Sequence, residues 1–347
     1  MIARHVTLRS YRSYASLDLG LEPGIVLVVG ENGSGKTNLL EALHLGTQGF
    51  SPRTRSEGQL IRFGEKAASV ALQLEQAGVS RSVRVKLSAG VAKVAELDGV
   101  RLPSAESLRR ELATIVFTPD RLAVVKGPPA VRRAYFDRAL SRLQPVQAGL
   151  PQEYSAVLAQ RNAALRRVQL GLSTRSALAP WTERLAELGG RLVEARRKAV
   201  LALAAVFAER ALELGLAEAC LRYQGEPPTV AELESRLDTD LVRGSTGAGP
   251  HLDDVLIAAD GRELRSFGSQ GEQRLALLAL LLAEAEVLPV PPLVLLDDVL
   301  SELDTRRRAV LAERLAALEQ VVITATQRNA LPRDPAQLVE VSPGQAV

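Results

Sequence analysis

The stretch GENGSGKT, from Gly30 to Thr37, has the glycine spacing and the Lys-Thr ending of a phosphate-binding loop. Its glycines let backbone N–H groups wrap around phosphate oxygens, and the start of the next helix adds a positive dipole end. Lys36 would reach the β- and γ-phosphates, and the Thr37 hydroxyl would hold Mg²⁺. The residues predicted to bind the nucleotide are Gly30, Glu31, Asn32, Gly33, Ser34, Gly35, Lys36 and Thr37.

Two acids follow an apolar run, LVLLDD, which extends from Leu293 to Asp298. A carboxylate at the end of a buried strand faces the sheet edge where nucleotides bind, so Asp297 is the predicted metal ligand together with Thr37. Asp298 is placed to orient or deprotonate a water molecule, and with Lys36 it forms the predicted catalytic pair. The Asn-Lys-x-Asp sequence by which Ras-like GTPases recognise guanine does not occur, so the pattern favours ATP.

A second glycine-containing stretch, SFGSQGEQ, opens into the apolar helix pattern LALLALLLAEAEV. A polar helix start can bind an anion, because free N–H groups and the positive dipole end meet there. One phosphate-binding loop needs no second anion-binding helix start in the same site. The pattern therefore favours a helix start that serves the phosphate held by another subunit, with an ordinary N-cap by Ser269 as the alternative.

Hydrophobic periodicity indicates the elements that position these groups. The run Gly24–Gly30 predicts a buried strand before the loop, and Lys36–Leu45 predicts a helix after it. Alternating residues on either side of Ala77-Gly78 and of Asp260-Gly261 predict two hairpins. Ala113–Phe117 predicts another buried strand, and parallel strands from both ends of the chain are expected to share one sheet.

Between residues 129 and 238 the pattern is almost entirely helical. Helices are expected over Pro151–Gln169 and Glu183–Leu214, with Gly171, Ser173 and Pro180 breaking them apart, and Thr229–Glu232 is a capping box. The predicted fold class is α/β, with a phosphate-binding-loop ATPase core and a helical insertion that forms a second lobe. The predicted domains are an ATPase lobe of residues 1–122 and 241–347 and a helical arm of residues 123–240.

The composition is that of a globular protein in a reducing compartment. The 347 residues are 46% hydrophobic and 24% charged, with a net charge of +3. The single cysteine, Cys220, excludes an internal disulfide and is expected to be a small core residue of a helix. No apolar run of about 18 residues suggests a membrane span, so a cytoplasmic location is expected. A pI near 9.2 is compatible with a polyanionic partner.

The same residues resemble the SMC-type branch of the ABC ATPases, and more narrowly the RecF family. SMC proteins insert long coiled coils between the two ATPase halves, whereas the insertion here is short, as in RecF. The resemblance covers essentially the whole chain and is carried by GKTNLLEAL, SPRTRSEGQLIRFG, FTPDRLAVVKGPPAVRRAYFDRAL, YSAVLAQRNAAL, GPHLDD, FGSQGEQR and LLDDVLSELD.

The resemblance implies an ABC-type head that dimerises when it binds ATP and Mg²⁺ and that hydrolyses ATP slowly with stimulation by DNA. It implies sequence-independent binding of duplex or gapped DNA, and cooperation with RecO and RecR to load RecA at single-strand gaps. Ser301 and Asp304 would form the D-loop that follows the two acids. The signature that caps the partner's γ-phosphate would consist of Ser269, Gln270, Gly271, Glu272 and Gln273.

Several positions depart from the family pattern. Thr118 stands where many ABC ATPases have a glutamine near the metal, and Ala325 or Thr326 stands where a switch histidine is usual. Asp298 replaces the common glutamate, and Leu252 replaces the arginine of the GPHRDD sequence. The departures at Thr118, at Ala325 or Thr326, and at Asp298 favour slow hydrolysis. Two alternatives stay open: the ATPase subunit of a membrane transporter, and a non-hydrolysing ATP-gated DNA clamp.

The residues that would contact DNA are poorly determined by sequence. Aromatic residues are only 3% of the chain, so backbone recognition is favoured over base stacking. His251 is a candidate functional group, with a structural hydrogen bond as the alternative. Candidate phosphate contacts, with a solvated helix face as the alternative for each, are Arg132-Arg133, Arg166-Arg167 and Arg196-Arg197-Lys198.

Overall fold

The computed structural model describes all residues from 1 to 347, and these divide into two compact units. The first unit consists of Met1–Leu122, Glu213–Gly215 and Leu281–Val347. The second unit consists of Ala123–Leu212 and Leu216–Leu280. No helix has both the length and the apolar character that a membrane span requires.

Fifteen strands and eleven α-helices make up the chain. The strands are β1 (Ile2–Tyr11), β2 (Tyr14–Gly20), β3 (Gly24–Val29), β4 (Ala67–Gln76), β5 (Val79–Ser88), β6 (Val91–Leu97), β7 (Val100–Arg101), β8 (Thr114–Phe117), β9 (Cys220–Gln224), β10 (Asp254–Ala259), β11 (Arg262–Glu263), β12 (Leu293–Leu296), β13 (Gln320–Ala325), β14 (Gln337–Ser342) and β15 (Gln345–Ala346). The helices are α1 (Lys36–Gln48), α2 (Leu108–Glu111), α3 (Ala123–Lys126), α4 (Pro129–Leu143), α5 (Leu150–Gln169), α6 (Ala179–Glu213), α7 (Val230–Ser235), α8 (Leu237–Arg243), α9 (Leu264–Phe267), α10 (Gln270–Val287) and α11 (Thr305–Ala316).

A six-stranded sheet in the order β15-β14-β3-β13-β12-β8 carries the first unit. Its strands β14, β3, β13, β12 and β8 run parallel. All six residues of β13 and all four of β12 are buried, which is why β12 is entirely apolar and only Gln320 and Thr324 of β13 are polar. The carboxyl ends of β3, β12 and β13 meet at one edge and bring together residues that are some 260 positions apart. The predicted common sheet is confirmed.

A second, antiparallel sheet of the first unit has the order β2-β1-β4-β5-β6-β7. The predicted hairpin at Ala77-Gly78 is confirmed, and both turn residues have a positive φ, 50° and 77°. Helix α1 contacts β4 and β5 as well as β8, β12 and β13. A Cβ atom at Gly46 would lie 2.5 Å from Leu72 Cδ1, so only glycine allows α1 to approach β4 this closely. The helix that follows the phosphate-binding loop is thus held between two sheets.

The second unit combines helices α4 to α8 with the three-stranded sheet β11-β10-β9. The predicted helical arm also contains a strand, because β9 pairs with β10 in antiparallel fashion, and Cys220, expected in the core of a helix, is a half-buried strand residue. The same pairing places residues 241–280 in this unit and not in the ATPase lobe. Pro180 does not end a helix; it lies in the first turn of α6, where a missing N–H costs nothing.

Candidate functional site

The loop between β3 and α1 has the backbone of a phosphate cradle. Gly33 and Gly35 have φ values of 82° and 120°, which side chains with a Cβ rarely adopt. Lys36 donates from Nζ to the carbonyl oxygens of Gly30 and Glu31, at 2.7 and 2.9 Å, and so holds the loop closed around its own ammonium group. Ser34 is buried and its Oγ has no hydrogen-bond partner within the chain. The predicted nucleotide-binding residues thus form a loop whose backbone has the geometry of a phosphate cradle.

The turn between β1 and β2 supports this loop from the side. The Tyr14 hydroxyl donates to the Gly35 carbonyl oxygen at 3.1 Å, and Asn38 Nδ2 donates to Ser13 Oγ at 3.0 Å. Burial raises the pKa of Tyr14 to about 12, so the phenol keeps its proton and stays a donor. No local pattern indicates this support, because an ordinary turn supplies it.

The two acids after β12 occupy different environments. Asp297 is 8% exposed and accepts hydrogen bonds from the Thr37 and Thr324 hydroxyls at 3.0 and 2.8 Å. Burial raises the pKa of Asp297, although both hydroxyls oppose that shift. Asp298 is exposed, has a φ of +51°, and donates its backbone N–H to Thr324 Oγ1 at 2.9 Å. One threonine on β13 therefore fixes both acids.

A cavity of about 250 Å³ joins the loop to the two acids. Burial lowers the pKa of Lys36 while the charges of Asp298 and Asp297 oppose the shift, so a cation and two anions face the same small space. The lining residues are Asn32, Gly33, Gly35, Lys36, Thr37, Asn38, Arg53, Asp297, Asp298, Thr324 and Thr326.

The donor set of this cavity fits Mg²⁺ bound together with a nucleotide phosphate. The Thr37 hydroxyl and the Asp297 carboxylate are 3.0 Å apart and are both hard oxygen ligands. No cluster of three or more His, Cys, Asp or Glu exists that could hold a metal ion by itself. Magnesium usually takes only one or two protein ligands and completes its shell with phosphate and water. A buried Asp297 with a raised pKa is also the kind of group that a cation would stabilise in its charged form.

Three of the lining residues escaped the sequence prediction. Arg53 brings a cation to the cavity and lies 3.6 Å from the buried Glu41 carboxylate. Its only signal was its place in the family-like stretch SPRTRSEGQLIRFG. Asn38 and Thr324 had no signal, because asparagine and threonine are ordinary in a helix and a strand. Since Arg53 accompanies Lys36, the cavity offers two cations to a triphosphate.

The residues that depart from the family pattern differ in whether they line the cavity. Thr118 is 5% exposed, its hydroxyl has no partner, and it does not line the cavity. Ala325 is buried at the end of β13, whereas the next residue, Thr326, lines the cavity. Of the two residues predicted for the position of the switch histidine, Thr326 is therefore the one that faces the cavity.

The predicted D-loop residues make local contacts. Ser301 Oγ donates to the carbonyl oxygen of Asp298 at 3.0 Å, and the Asp304 carboxylate caps α11 by accepting from the Arg307 N–H at 2.8 Å. Neither residue lines the cavity. A role for them toward a partner subunit stays a prediction.

The start of α10 has a reciprocal capping box. Ser269 N donates to Glu272 Oε2 at 2.7 Å, and Glu272 N donates to Ser269 Oγ at 3.2 Å. The N-cap interpretation of Ser269 is thus realised within the chain. Gln273 is buried and donates to the carbonyl oxygens of Leu264 and Gly268, so its side chain holds the turn before the helix. Of the predicted signature, Ser269, Gln270 and Gly271 remain exposed.

Gly271 has no packing reason within the chain to be glycine. A Cβ atom there would meet only Ser269 Oγ, at 3.9 Å. Glycine is a poor helix former, and its small size would permit a close approach from outside, so the predicted role of Gly271 toward a partner stays a prediction.

Replacing Gly271 with alanine tests this interpretation. We expect Gly271→Ala to stabilise the protein by about 0.5 kcal/mol, because alanine is the better helix former. The same variant should lose most ATP-dependent dimerisation, measured by light scattering, because a methyl group stands where a phosphate would approach. Gly190→Ala, in an open position of α6 with its nearest contact at 3.9 Å, is the matched control. Equal dimerisation by the two variants would contradict a role for Gly271 outside its own helix.

The arginine clusters proposed to contact DNA are only partly on the surface. Arg132 is 1% exposed and pairs with Asp254 at 2.6 Å, and Arg196 is 4% exposed and pairs with Asp137 at 2.7 Å. These two predictions are wrong, because each buried arginine pairs with a partly exposed acid far along the chain. Arg133 donates to the carbonyl oxygen of Asp253. The exposed candidates are Arg166, Arg167 and Lys198, while Arg197 is half-buried and pairs with Glu226.

His251 belongs to a structural hydrogen-bond chain within the second unit. Its Nε2 donates to the Thr246 carbonyl oxygen at 3.1 Å, so Nδ1 accepts from the Tyr154 hydroxyl at 2.8 Å. Burial lowers the pKa of His251, which keeps the ring neutral as this pattern requires. The structural alternative for His251 accounts for these contacts.

The chain matches known proteins over nearly its whole length. The family model of the RecF/RecN/SMC N terminal domain matches residues 2–346. The chain is 39% identical to the DNA replication and repair protein RecF of Anaeromyxobacter dehalogenans (strain 2CP-C), over 95% of this chain and 93% of that protein. It is 35% identical to the protein of that name from Frankia alni, over 95% and 94%.

Solved structures give the same result. The chain resembles the recombination mediator protein RecF with ATP, from the RecFOR pathway, with a TM-score of 0.88 at 25% identity over 100% of this chain and 98% of that one. A head domain of Smc from Pyrococcus furiosus matches with a TM-score of 0.62 at 17% identity, which shows the shared fold alone. The predicted fold class, an ABC-type head, is confirmed.

Proposed function

Because the chain belongs to the RecF family, an SMC-like family of ATP-binding proteins of DNA replication and repair, we propose that it is an ATP-gated dimer that binds duplex or gapped DNA. In this proposal ATP joins two copies of the chain, the dimer hydrolyses ATP slowly, and DNA stimulates hydrolysis. The observation that carries the proposal is the exposed, uncontacted Gly271 at the capped start of α10, in a chain that already has a complete phosphate cradle and two carboxylates.

The residues of the first unit divide the work on the nucleotide. Lys36 moves its hydrogen bonds from the two loop carbonyls to phosphate oxygens, and backbone N–H groups of Gly33 and Gly35 stabilise the remaining charge. Thr37 and Asp297 would hold Mg²⁺, which neutralises the charge on the β- and γ-phosphates when bound. Asp298, exposed on the cavity wall with its backbone fixed by Thr324, orients the attacking water and accepts its proton.

The second half of each site comes from the other copy in this proposal. Ser269 presents a hydroxyl, and Gln270 and Gly271 present the backbone N–H groups of the first helical turn, at an exposed helix start that is suited to a γ-phosphate. Since neither chain alone would complete a site, ATP acts as the bond between two surfaces and hydrolysis releases it. Such a dimer matches the family's expected cooperation with RecO and RecR in loading RecA at single-strand gaps.

The proposed function is tested by sizing the purified chain alone, with Mg·ATP, and with Mg·ATP plus a gapped duplex. We expect a monomer, a dimer, and a dimer that migrates with the DNA. DNA binding should weaken steeply with salt and be indifferent to sequence, because phosphates supply the contacts. A chain that stays monomeric at saturating ATP, or that binds DNA equally without ATP, would disprove ATP gating.

Asp298→Asn separates ATP binding from ATP hydrolysis. A general base contributes about 10²- to 10⁴-fold, so hydrolysis should slow by that factor in a single-turnover assay while ATP affinity is retained. The ATP-bound dimer should then accumulate in sizing experiments. Loss of Mg·ATP affinity in this variant would instead identify Asp298 as the metal ligand in place of Asp297.

A second candidate is a clamp in which ATP only joins the dimer and is not hydrolysed. It is supported by the departures expected from the family resemblance, in which Thr118 and either Ala325 or Thr326 replace a metal-site glutamine and a switch histidine. Single-turnover hydrolysis on saturating DNA distinguishes the two candidates. If ADP forms no faster with the wild-type chain than with Asp298→Asn, the clamp is correct.

A further inference from the structure

The connection between α5 and α6 leaves an exposed apolar and basic surface on the second unit. Three apolar side chains are largely exposed: Leu170 at 71%, Leu172 at 67% and Val242 at 80%. Cations lie in the same short segments. We call this the Leu170 surface and define it by Arg166, Arg167, Leu170, Leu172, Val242 and Arg243.

The two segments that form the Leu170 surface are tied to each other. Gln169 Nε2 donates to the carbonyl oxygen of Val242 at 3.3 Å, and Arg166 donates to that of Gly244 at 3.4 Å. Arg175, in the loop before α6, pairs with Asp238 of α8 at 2.7 Å. These contacts place the end of α5 beside the end of α8. The surface is therefore formed before any partner binds, which reduces the entropy cost of binding.

The charge of the surface is unbalanced. Arg167 and Arg243 are exposed and make no ion pair, while Arg166 contacts only a carbonyl oxygen. Asp238 at the start of α8 is already paired with Arg175. The residues that define the surface thus include three cations and three exposed apolar side chains, and none of them is an acid.

We propose that the Leu170 surface is a docking site for an acidic protein segment that carries leucine or phenylalanine side chains. Exposed apolar groups clustered in this way mark interaction sites, and the unpaired arginines select the charge of the partner. Nucleic acid fits less well, because phosphates would leave Leu170, Leu172 and Val242 in water. This docking site is separate from the proposed ATP site and does not depend on it.

The test uses two fluorescein-labelled 14-residue peptides, each with six acidic residues and three Leu or Phe residues. One has helical spacing of the apolar residues and the other has alternating spacing. We expect at least one to bind the full chain with a Kd of about 10 µM and to weaken with salt, by fluorescence anisotropy. Replacing its apolar residues with serine should remove binding.

Variants of the chain locate the peptide. Leu170→Ser with Leu172→Ser, and separately Arg167→Glu with Arg243→Glu, should each weaken binding about tenfold or more. Leu201→Ser with Leu212→Ser is the matched control, because these α6 residues are 75% and 64% exposed but lie outside the surface. ATP binding should be unchanged in all three, which verifies folding.

Four results would overturn the proposal. The first is that neither peptide binds, and the second is that the Leu201 and Leu212 control weakens peptide binding as much as the surface variants do. The third is that the arginine variant, but not the leucine variant, loses binding to a 30-base-pair duplex. The fourth is a change of oligomeric state without ATP in the leucine variant. The third result would make the surface a DNA contact, and the fourth would make it a contact between copies of the chain.

Discussion

Lys36→Met is expected to bind ATP too weakly to detect at millimolar nucleotide, and to stay monomeric and unable to bind DNA tightly. The ammonium group of Lys36 is the cation built into the phosphate cradle, where it satisfies two loop carbonyls until phosphate oxygens arrive. Methionine keeps most of the side-chain volume but offers no donor and no charge. Because the ATP-dependent dimer follows from ATP binding, the loss should propagate to every ATP-dependent property.

The control for this variant is Lys66→Met, which removes an exposed lysine from the same unit. It should bind a fluorescent ATP analogue as the wild type does. Thermal unfolding should also separate the variants, because saturating ATP raises the Tm of the control and leaves that of Lys36→Met unchanged. Normal ATP affinity in Lys36→Met would refute the phosphate-loop assignment.

Ser269→Arg is expected to abolish ATP-dependent dimerisation while the monomer still binds ATP. If Ser269 serves the partner's γ-phosphate, a bulky side chain stands where two surfaces close to hydrogen-bond distance. Hydrolysis should disappear together with the dimer. Ser235→Arg, at an exposed position of α7, is the control and should dimerise normally. Because Ser269 also caps α10 through its hydrogen bonds with Glu272, the substitution should in addition lower the stability of the protein by about 1 kcal/mol.

A mixture of Ser269→Arg and Lys36→Met chains gives the decisive comparison. A mixed dimer pairs the intact loop of the first variant with the intact helix start of the second, so one composite site is whole. Association with ATP should reappear in the mixture while each variant alone stays monomeric, measured by fluorescence transfer between labelled chains. Full dimerisation by Ser269→Arg alone would leave Ser269 as a helix cap and nothing more.

The sequence predicts those parts of the site whose signal is local. The phosphate loop, the acids after β12 and the start of α10 each lie within one short stretch, where glycine, charge and hydrophobic pattern coincide. Arg53, Asn38 and Thr324 could not be found in this way, because only the fold brings them to the cavity. Thr324 is the clearest case, since a β13 residue holds acids that lie 26 and 27 positions before it.

The errors in the sequence-based prediction of the fold also arise from contacts between distant parts of the chain. A short strand such as β9 gains its stability from pairing with β10, some thirty residues later, and its own five residues carry little signal. The buried arginines are a second example. Runs such as Arg132-Arg133 suggest a basic surface, yet Arg132 pairs with Asp254, which no local pattern could indicate. Non-local pairing decided both outcomes.

The order of the parallel sheet has a consequence for synthesis on the ribosome. Strand β3, which leads into the phosphate loop, lies between β13 and β14, and both are made almost 300 residues later. At about 5–20 residues per second, the apolar run GIVLVV waits roughly 15 to 60 seconds without either neighbour. The antiparallel sheet, complete by residue 101, has no such delay. A nascent chain therefore cannot form the nucleotide site, so no ATP-dependent pairing between unfinished chains on one messenger RNA can begin before β13 and β14 have emerged.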